Sequence, residues 1–476
     1  MGFTEITFLF IFLPASILLY LLTDRLFKNV KISNAVLSAL SLAFCFWTDK
    51  DSLIFLAALI IFVYLAGLVL KKYGGPAPGH KRAAAAVPVI ILTAVLLFFK
   101  YTSVISSWIN KAAGRGIIRA ADIIVPAGVS FIIFGSISYL IDIYRGDAPA
   151  GTLLECCTFI SMFPKLISGP IVLWKDMRSQ LSERKSTAEQ TAYGIDRIIV
   201  GLAKKAILAD TFGTQITSIN SGMAGSGADV PTMWLRALLY FFQLYLDFSG
   251  YSDIAVGLCS IFGFKVKENF DHPYLSCSVT EFWRRWHISL GTWFREYVYI
   301  PLGGNRRGSV GLHLMIVFLL TGIWHGNGLQ FLIWGAAHGI LVAAERKIRD
   351  HEWYKKIPKA VKWVLTTLFV LLAWVLFMSK DLQSAVQTYS GMFIPMSPGG
   401  VGLSWRYYLT NRTLLFLVIA AASEIIAASG LRNKLSRLFD TNAGTIVKRV
   451  LLIILFVIDI LYIVNSTYSP FIYFRF

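Results

Sequence analysis

Apolar runs of about 18 to 21 residues recur along the chain, the length at which a helix crosses the hydrocarbon core of a bilayer. Within hydrocarbon every backbone N–H and C=O must find a partner inside the structure, so only helices and closed barrels span. A barrel would show segments of about ten residues with alternating polarity, and none occurs. The pattern therefore predicts an all-α polytopic membrane protein. Charged residues make up 15% of the chain, against roughly 25% in soluble domains, and the mean hydropathy is +0.63.

Spans are predicted at Phe3–Leu22, Val30–Trp47, Ser52–Leu70, Val87–Ile105 and Ala127–Tyr144. Others follow at Leu312–Trp324, Leu329–Ala344, Val361–Met378, Leu414–Ala428 and Val450–Ile463. With less regular segments between them, about eleven or twelve crossings are expected. The start, Met1 to Asp24, lacks a basic leader region and reads as a retained first span. The chain reads as one membrane domain over 1–476: N-terminal spans to 147, a catalytic core at 148–345 and C-terminal spans from 346. No internal repeat and no separate soluble domain is read.

The net charge is +18. Its first meaning is orientation: Lys and Arg concentrate in the links Asp24–Lys31, Lys71–Arg82 and Trp174–Ser186, which places these in the cytoplasm and the N-terminus outside. Attraction to anionic membrane lipid is the second. The basic residues are spread over links, which does not suit nucleic-acid binding. The five cysteines contain no CxxC pair and suggest neither a disulfide framework nor a zinc site.

Between the two groups of spans the pattern changes. Thr152–Ile171 is apolar yet holds Pro164, Lys165, Gly169 and Pro170, and reads as a broken or re-entrant helix. Trp174–Ser186 reads as a cytoplasmic surface helix, and Ala192–Ile219 as an amphipathic or short span carrying Lys204-Lys205. Thr232–Phe264 is a long apolar run with Asp247 and Asp253 inside it, and Ser249-Gly250 is expected to break or bend it. Ser278-Val279-Thr280-Glu281 is a capping-box signature, so a helix is expected from there to about Ile300, at an interface or along a cavity.

Ionisable groups are costly inside a bilayer and mark function. They crowd between Tyr245 and Gly339. On an unbroken helix Trp283, His287, Leu290 and Phe294 share one face, with Arg284, Arg285 and Arg295 around it. His287 is either an interfacial aromatic-belt histidine or part of an aromatic-lined cavity whose arginines bind phosphate or carboxylate. His325 ends an almost wholly apolar span, before Gly326-Asn327-Gly328. There it is either a capping residue or a neutral imidazole facing a cavity, the usual general base. His338 lies in Gly335-Ala336-Ala337-His338-Gly339, whose G-x-x-x-G spacing predicts close helix packing; a structural hydrogen bond is its expected role. Asp247 and Asp253 either line a polar cavity or are held by arginines such as those at 284, 285 and 295. P-loop, Rossmann, H-E-x-x-H and G-x-S-x-G signatures are absent.

Several stretches together resemble the membrane-bound O-acyltransferase (MBOAT) family, and within it the bacterial alginate O-acetyltransferase type. They are Val125–Phe131, Ser138–Gly146, Phe163–Ile171, Tyr245–Asp253, Glu268–Tyr274, Phe282-Trp283-Arg284-Arg285-Trp286-His287, Tyr299–Arg306 and Thr321-Gly322-Ile323-Trp324-His325-Gly326. The resemblance implies a ring of transmembrane helices around a central funnel or tunnel, with re-entrant and interfacial helices. It implies a catalytic histidine at His325 and a second important one at His287. Trp283, Arg284, Arg285, Asp247, Asp253, Trp324 and Asn327 become candidate tunnel or donor-binding residues, and Lys204-Lys205 possible contacts for an anionic donor. It also implies a bacterial cytoplasmic membrane and no permanently bound cofactor. The acyl group, acetyl first, would come from a cytoplasmic acyl-CoA or acyl-carrier thioester and go towards an extracytoplasmic polysaccharide. A separate SGNH-type partner is expected to finish the transfer. The alternatives are D-alanyl transfer to teichoic acid, a transporter or flippase without chemistry of its own, and a docking subunit.

Overall fold

The computed structural model describes residues 2–72, 78–118, 125–223, 228–394, 403–466 and 471. The Gly-Gly-Pro sequence at 74–76, residues 224–227 of the Gly-rich stretch at 221–230 and the aromatic C-terminal segment other than Phe471 lie outside them. Among the described residues all regular secondary structure is helical. Contacts divide the chain into two units: Met1–Ile198 with Ser252–Glu268, and Ile199–Tyr251 with Asn269–Ile472.

In the first unit a π-helical turn, Phe8–Phe12, runs into α1 (Leu13–Phe27). Asn29 caps α2 (Val30–Thr48) by accepting from the Lys31 N–H at 2.9 Å. α3 (Lys50–Lys72) and α4 (Pro78–Ala113) follow, the latter carrying Pro88 inside it. α5 (Val129–Arg145) is bounded by Gly128 and Gly146, both with positive φ. A Cβ at Gly128 would collide with the Leu166 carbonyl oxygen, so this position needs glycine for space as well as conformation. The re-entrant reading of Thr152–Ile171 corresponds to two short helices. α6 (Leu153–Ser161), started by a Thr152–Glu155 capping box, stops at non-helical Met162, and α7 (Phe163–Leu166) follows with Pro164 in its first turn.

The core of this unit is aromatic: the Phe8, Phe12, Phe44 and Phe163 rings pack with centroids 5.3 to 6.4 Å apart. α8 (Trp174–Ser182) is the expected surface helix only on one side. Trp174, Met177 and Leu181 are buried, and the Trp174 indole meets Tyr139 and Phe159 at 4.7 and 5.1 Å. α9 (Ala188–Leu202) continues through a π-helical turn, Ala203–Ala209, into α10 (Asp210–Met223), so the predicted short span is part of one longer helical run. Outward-facing Ile54 and Ile90, 72% and 64% exposed, present apolar surface of the kind lipid covers.

α11 (Val230–Ile261), which belongs to the second unit as far as Tyr251, is an unbroken helix of 32 residues. The expected break at Ser249-Gly250 does not occur. Gly250 serves closeness instead, because a Cβ there would stand 2.8 Å from the Gly201 carbonyl oxygen. The predicted helix to Ile300 is the second correction. It starts where the capping box placed it, with Ser278 accepting from the Glu281 N–H at 3.0 Å, but α12 (Val279–Arg285) ends after seven residues. His287 adopts φ 45°, ψ 52°, and α13 (Ile288–Phe294) begins after it, followed by a π-helical turn, Arg295–Tyr299. Trp283 and His287 therefore do not share a helical face with Leu290 and Phe294.

α14 (Val310–His325) and α15 (Leu329–Ile348) pack closely against each other. The G-x-x-x-G expectation holds there: a Cβ at Gly335 would collide with the Phe318 carbonyl oxygen, and one at Gly339 would lie 3.1 Å from Met315 Sδ. From α15, Glu345 takes the Val279 and Thr280 N–H groups at 2.7 and 2.8 Å and so caps α12. The chain continues through α16 (Glu352–Lys356), α17 (Lys359–Met378), α18 (Leu382–Phe393), α19 (Trp405–Tyr408), α20 (Asn411–Ala428), α21 (Gly430–Phe439) and α22 (Asn442–Asn465). Among the described residues, five helical stretches are long and apolar enough to cross a membrane: Phe8–Phe27, Val30–Thr48, Lys50–Lys72, Arg82–Ala113 and Lys359–Met378.

Candidate active site

His325 is the last residue of α14, and the chain leaves the helix at extended Gly326. A Cβ at Gly326 would run into the Phe331 ring, so glycine lets the chain turn tightly into α15. The His325 imidazole is 3% exposed. Its ring lies edge-on to Trp324, Trp334 and Phe377, with centroids at 4.6, 5.2 and 4.9 Å. An apolar helix end thus delivers one imidazole into an aromatic enclosure from which water is largely excluded.

Trp324 links this histidine to the second one, its ring centroid standing 6.2 Å from that of His287. His287 is 1% exposed and meets the Phe248 ring of α11 edge-on at 4.7 Å. Its left-handed backbone is uncommon for a residue with a side chain, and Asn269 accounts for it. The Asn269 carbonyl accepts from the Ile288 N–H at 2.9 Å, while its side-chain Oδ1 stands 3.1 Å from His287 Nδ1 and accepts from the Ser289 N–H and hydroxyl. An amide oxygen only accepts, so Nδ1 carries the proton and Nε2 is left as the acceptor nitrogen. His287 lies outside the membrane-spanning helices, and burial pushes its pKa down to about 3. It is neutral at physiological pH. An imidazole so weakly basic is a poor proton acceptor in catalysis and better suited to holding a hydroxyl by a hydrogen bond.

On the far side of Trp334 the Trp283 indole donates to His338 Nδ1 at 3.1 Å. His338, fully buried, sits 4.8 Å from the Trp334 ring. The hydrogen bond expected of His338 is this one. Arg284 and Asn327 are exposed. Arg285 is half-buried and pairs with Glu281 at 2.8 Å, one helical turn earlier.

Asp247 and Asp253 lie in ion pairs, and in different units. Lys205 bridges Asp247 and Asp210 at 2.7 Å each, with side-chain exposures of 1% for Lys205 and 2% for Asp247. Lys205 is thus engaged and enclosed, which corrects the expectation that it meets a soluble anionic donor. Arg197 bridges Asp253 and Glu268 in the other unit.

Asn269 is the residue that sequence reasoning missed. It stands in the quoted Glu268–Tyr274 stretch, but its service to His287 eighteen positions later exists only in the folded chain. Asn269→Ala is expected to slow acyl transfer by about 10- to 100-fold, by analogy with the loss when the partner that orients a metal-ligating histidine is removed. Asn269→Asp, which keeps an acceptor oxygen, should lose less. Initial rates of the two purified variants, compared at equal folded protein, check this.

The site and fold define a class. The family model for the membrane-bound O-acyltransferases matches residues 151–394, and the chain belongs to that family. It is a multi-pass membrane O-acyltransferase. A Pseudomonas putida protein named "Probable alginate O-acetylase AlgI" is 37% identical over the full length of both chains. The Helicobacter pylori peptidoglycan O-acetyltransferase is 32% identical over 98% of this chain and 96% of its own. The Bacillus subtilis teichoic acid D-alanyltransferase is 29% identical over 54% of this chain and 69% of its own.

Proposed function

We propose that this protein moves an acetyl group from a cytoplasmic thioester, acetyl-CoA or an acyl-carrier protein, towards a cell-surface polysaccharide outside the bacterial plasma membrane. The observation that carries the reading is the pair of buried histidines joined through Trp324 at the end of an apolar helix. The full-length similarity to proteins named for acetylating alginate and peptidoglycan supports acetyl over D-alanyl as the group moved.

His325 is the general base. It takes the proton of the acceptor hydroxyl as that oxygen attacks the thioester carbonyl carbon. The carbon–sulfur bond then breaks, and the proton passes from the imidazolium to the leaving thiolate, so the base is regenerated. His287, its tautomer fixed by Asn269, first holds the incoming hydroxyl through Nε2, and the hydroxyl's one proton then turns to His325 as the attack begins. Positioning can supply roughly 7 to 11 kcal/mol of such a barrier, and the aromatic walls keep water from competing for the thioester. The acceptor is either the polysaccharide or an SGNH-type partner that passes the group on.

The test is alkali-labile acetate released from the cell surface of a strain lacking the gene, with and without the wild-type copy. Loss of acetate, restored by the copy, is expected. Ester-linked D-alanine lost in its place would identify the teichoic acid reaction, and unchanged esters would sink the acyl-transfer reading.

A further inference from the structure

A buried carboxylate outside the histidine pair grips both structures that flank His287. Glu424 is the sole acidic residue of α20, in the part of the helix that is apolar from Leu414 onward but for Ser423, and it is 6% exposed. Ionisable groups in such helices need a reason to be there. Its Oε1 accepts from the Tyr245 hydroxyl at 2.8 Å and stands 3.3 Å from His272 Nδ1. Its Oε2 is buried without a hydrogen bond.

Each partner leads to the site. Tyr245 lies on α11, one turn before the Phe248 ring that meets His287. His272 lies three residues after Asn269, in a loop tied to the α12–α13 break by the Asp271 N–H to the Arg285 carbonyl and by the Asn269 carbonyl. His272 also adopts a left-handed backbone, φ 47°, ψ 57°. Side-chain-bearing residues keep that conformation where the surroundings hold them.

We propose that Glu424 is a positioning residue: through Tyr245 and His272 it fixes the loop whose Asn269 orients His287. The inference rests on the acyl-transfer reading, in which His287 must meet the acceptor hydroxyl in one orientation. Glu424 itself touches no reacting atom. Its carboxylate pulls α11 and the loop towards one point, and the imidazole is set between them.

Two readouts test this. The first is the initial rate of ester labelling in a short pulse of radiolabelled acetate, per folded molecule, in cells carrying each variant. Glu424→Leu is expected to slow it about tenfold, while Glu424→Gln, whose amide oxygen still accepts from both partners, keeps most of it. The double variant Asn269→Ala/Glu424→Leu should be no slower than Asn269→Ala alone, because both act on His287. Thermal stability of purified Glu424→Leu is expected to fall, because the buried Tyr245 hydroxyl loses its acceptor, so the rate per folded molecule is what discriminates. A merely structural glutamate would lower stability with an unchanged rate per folded molecule. The second readout is the reactivity of His287 towards diethyl pyrocarbonate, mapped by mass spectrometry, which should rise in Glu424→Leu. If wild-type cells incorporate no label, the acyl-transfer reading fails and the His287 reactivity alone decides this one. If Glu424→Leu does not fold, His272→Ala and Tyr245→Phe carry the same comparisons. An unchanged rate with unchanged His287 reactivity, or losses that multiply with Asn269→Ala, would overturn the proposal.

Discussion

Replacing His325 by alanine is expected to slow acyl transfer by at least about 100-fold, the low end for loss of a general base, in protein that still folds. The reason for both halves is local. The imidazole ends α14, and the Gly326 turn that follows is shaped by the Phe331 ring, which the substitution leaves in place. The enclosure formed by Trp324, Trp334 and Phe377 stands on three other anchorages. What disappears is the one basic nitrogen at the centre of that enclosure. His325→Gln fills more of the space and should restore stability without restoring transfer. The measurement is the transfer rate of both variants at equal folded protein, beside their thermal transitions. A folded alanine variant with near-normal rates would end the general-base reading, and one that cannot fold would favour a capping role.

The contrast with His287 shows what the chain discloses on its own. His325 could be placed from sequence because its span is apolar up to the histidine and is then cut by glycines, a local pattern. The capping box at Ser278 was local too, and α12 begins there. The end of α12 was not local. Residues 280 to 300 carry no proline or helix-breaking pair at position 287, so helical periodicity read straight through it. The break is made by Asn269, which draws two N–H groups and the imidazole of the 287–289 segment to itself. At Ser249-Gly250 the error ran the other way. A glycine beside a serine suggested a bend, while the folded chain uses it to let Gly201 approach. The partner of Asp247 was equally hidden. The arginines at 284, 285 and 295 were the candidates, and the actual cation is Lys205, 42 residues before Asp247. Long-range partners of buried charges leave little local trace, because any cation could serve until the helices are packed.

That ion cluster carries the other large effect. Lys205→Met is expected to destabilise the protein by about 3 to 5 kcal/mol, as when one member of a buried pair is removed. The ammonium is 1% exposed and bridges Asp247 and Asp210 at 2.7 Å each, with the Phe471 ring 4.8 Å away. Methionine fills much the same volume, so the loss is electrostatic: two carboxylates are left close together, one of them enclosed, with their shared cation gone. The prediction separates from a general effect of deleting charge. Lys267 pairs with Asp176 at the same 2.7 Å but is 64% exposed, and Lys267→Met should cost less than about 1 kcal/mol, as exposed pairs do. A second substitution probes the cause. Adding Asp247→Asn to Lys205→Met removes the enclosed charge and should recover part of the stability, although Asp247→Asn alone lowers it. Thermal transitions of the four variants in one detergent decide the matter. If Lys205→Met unfolds with the wild type, or if Asp247→Asn worsens it further, the cluster does not hold α11 against the α9–α10 run by charge, and packing around Gly250 alone must do so.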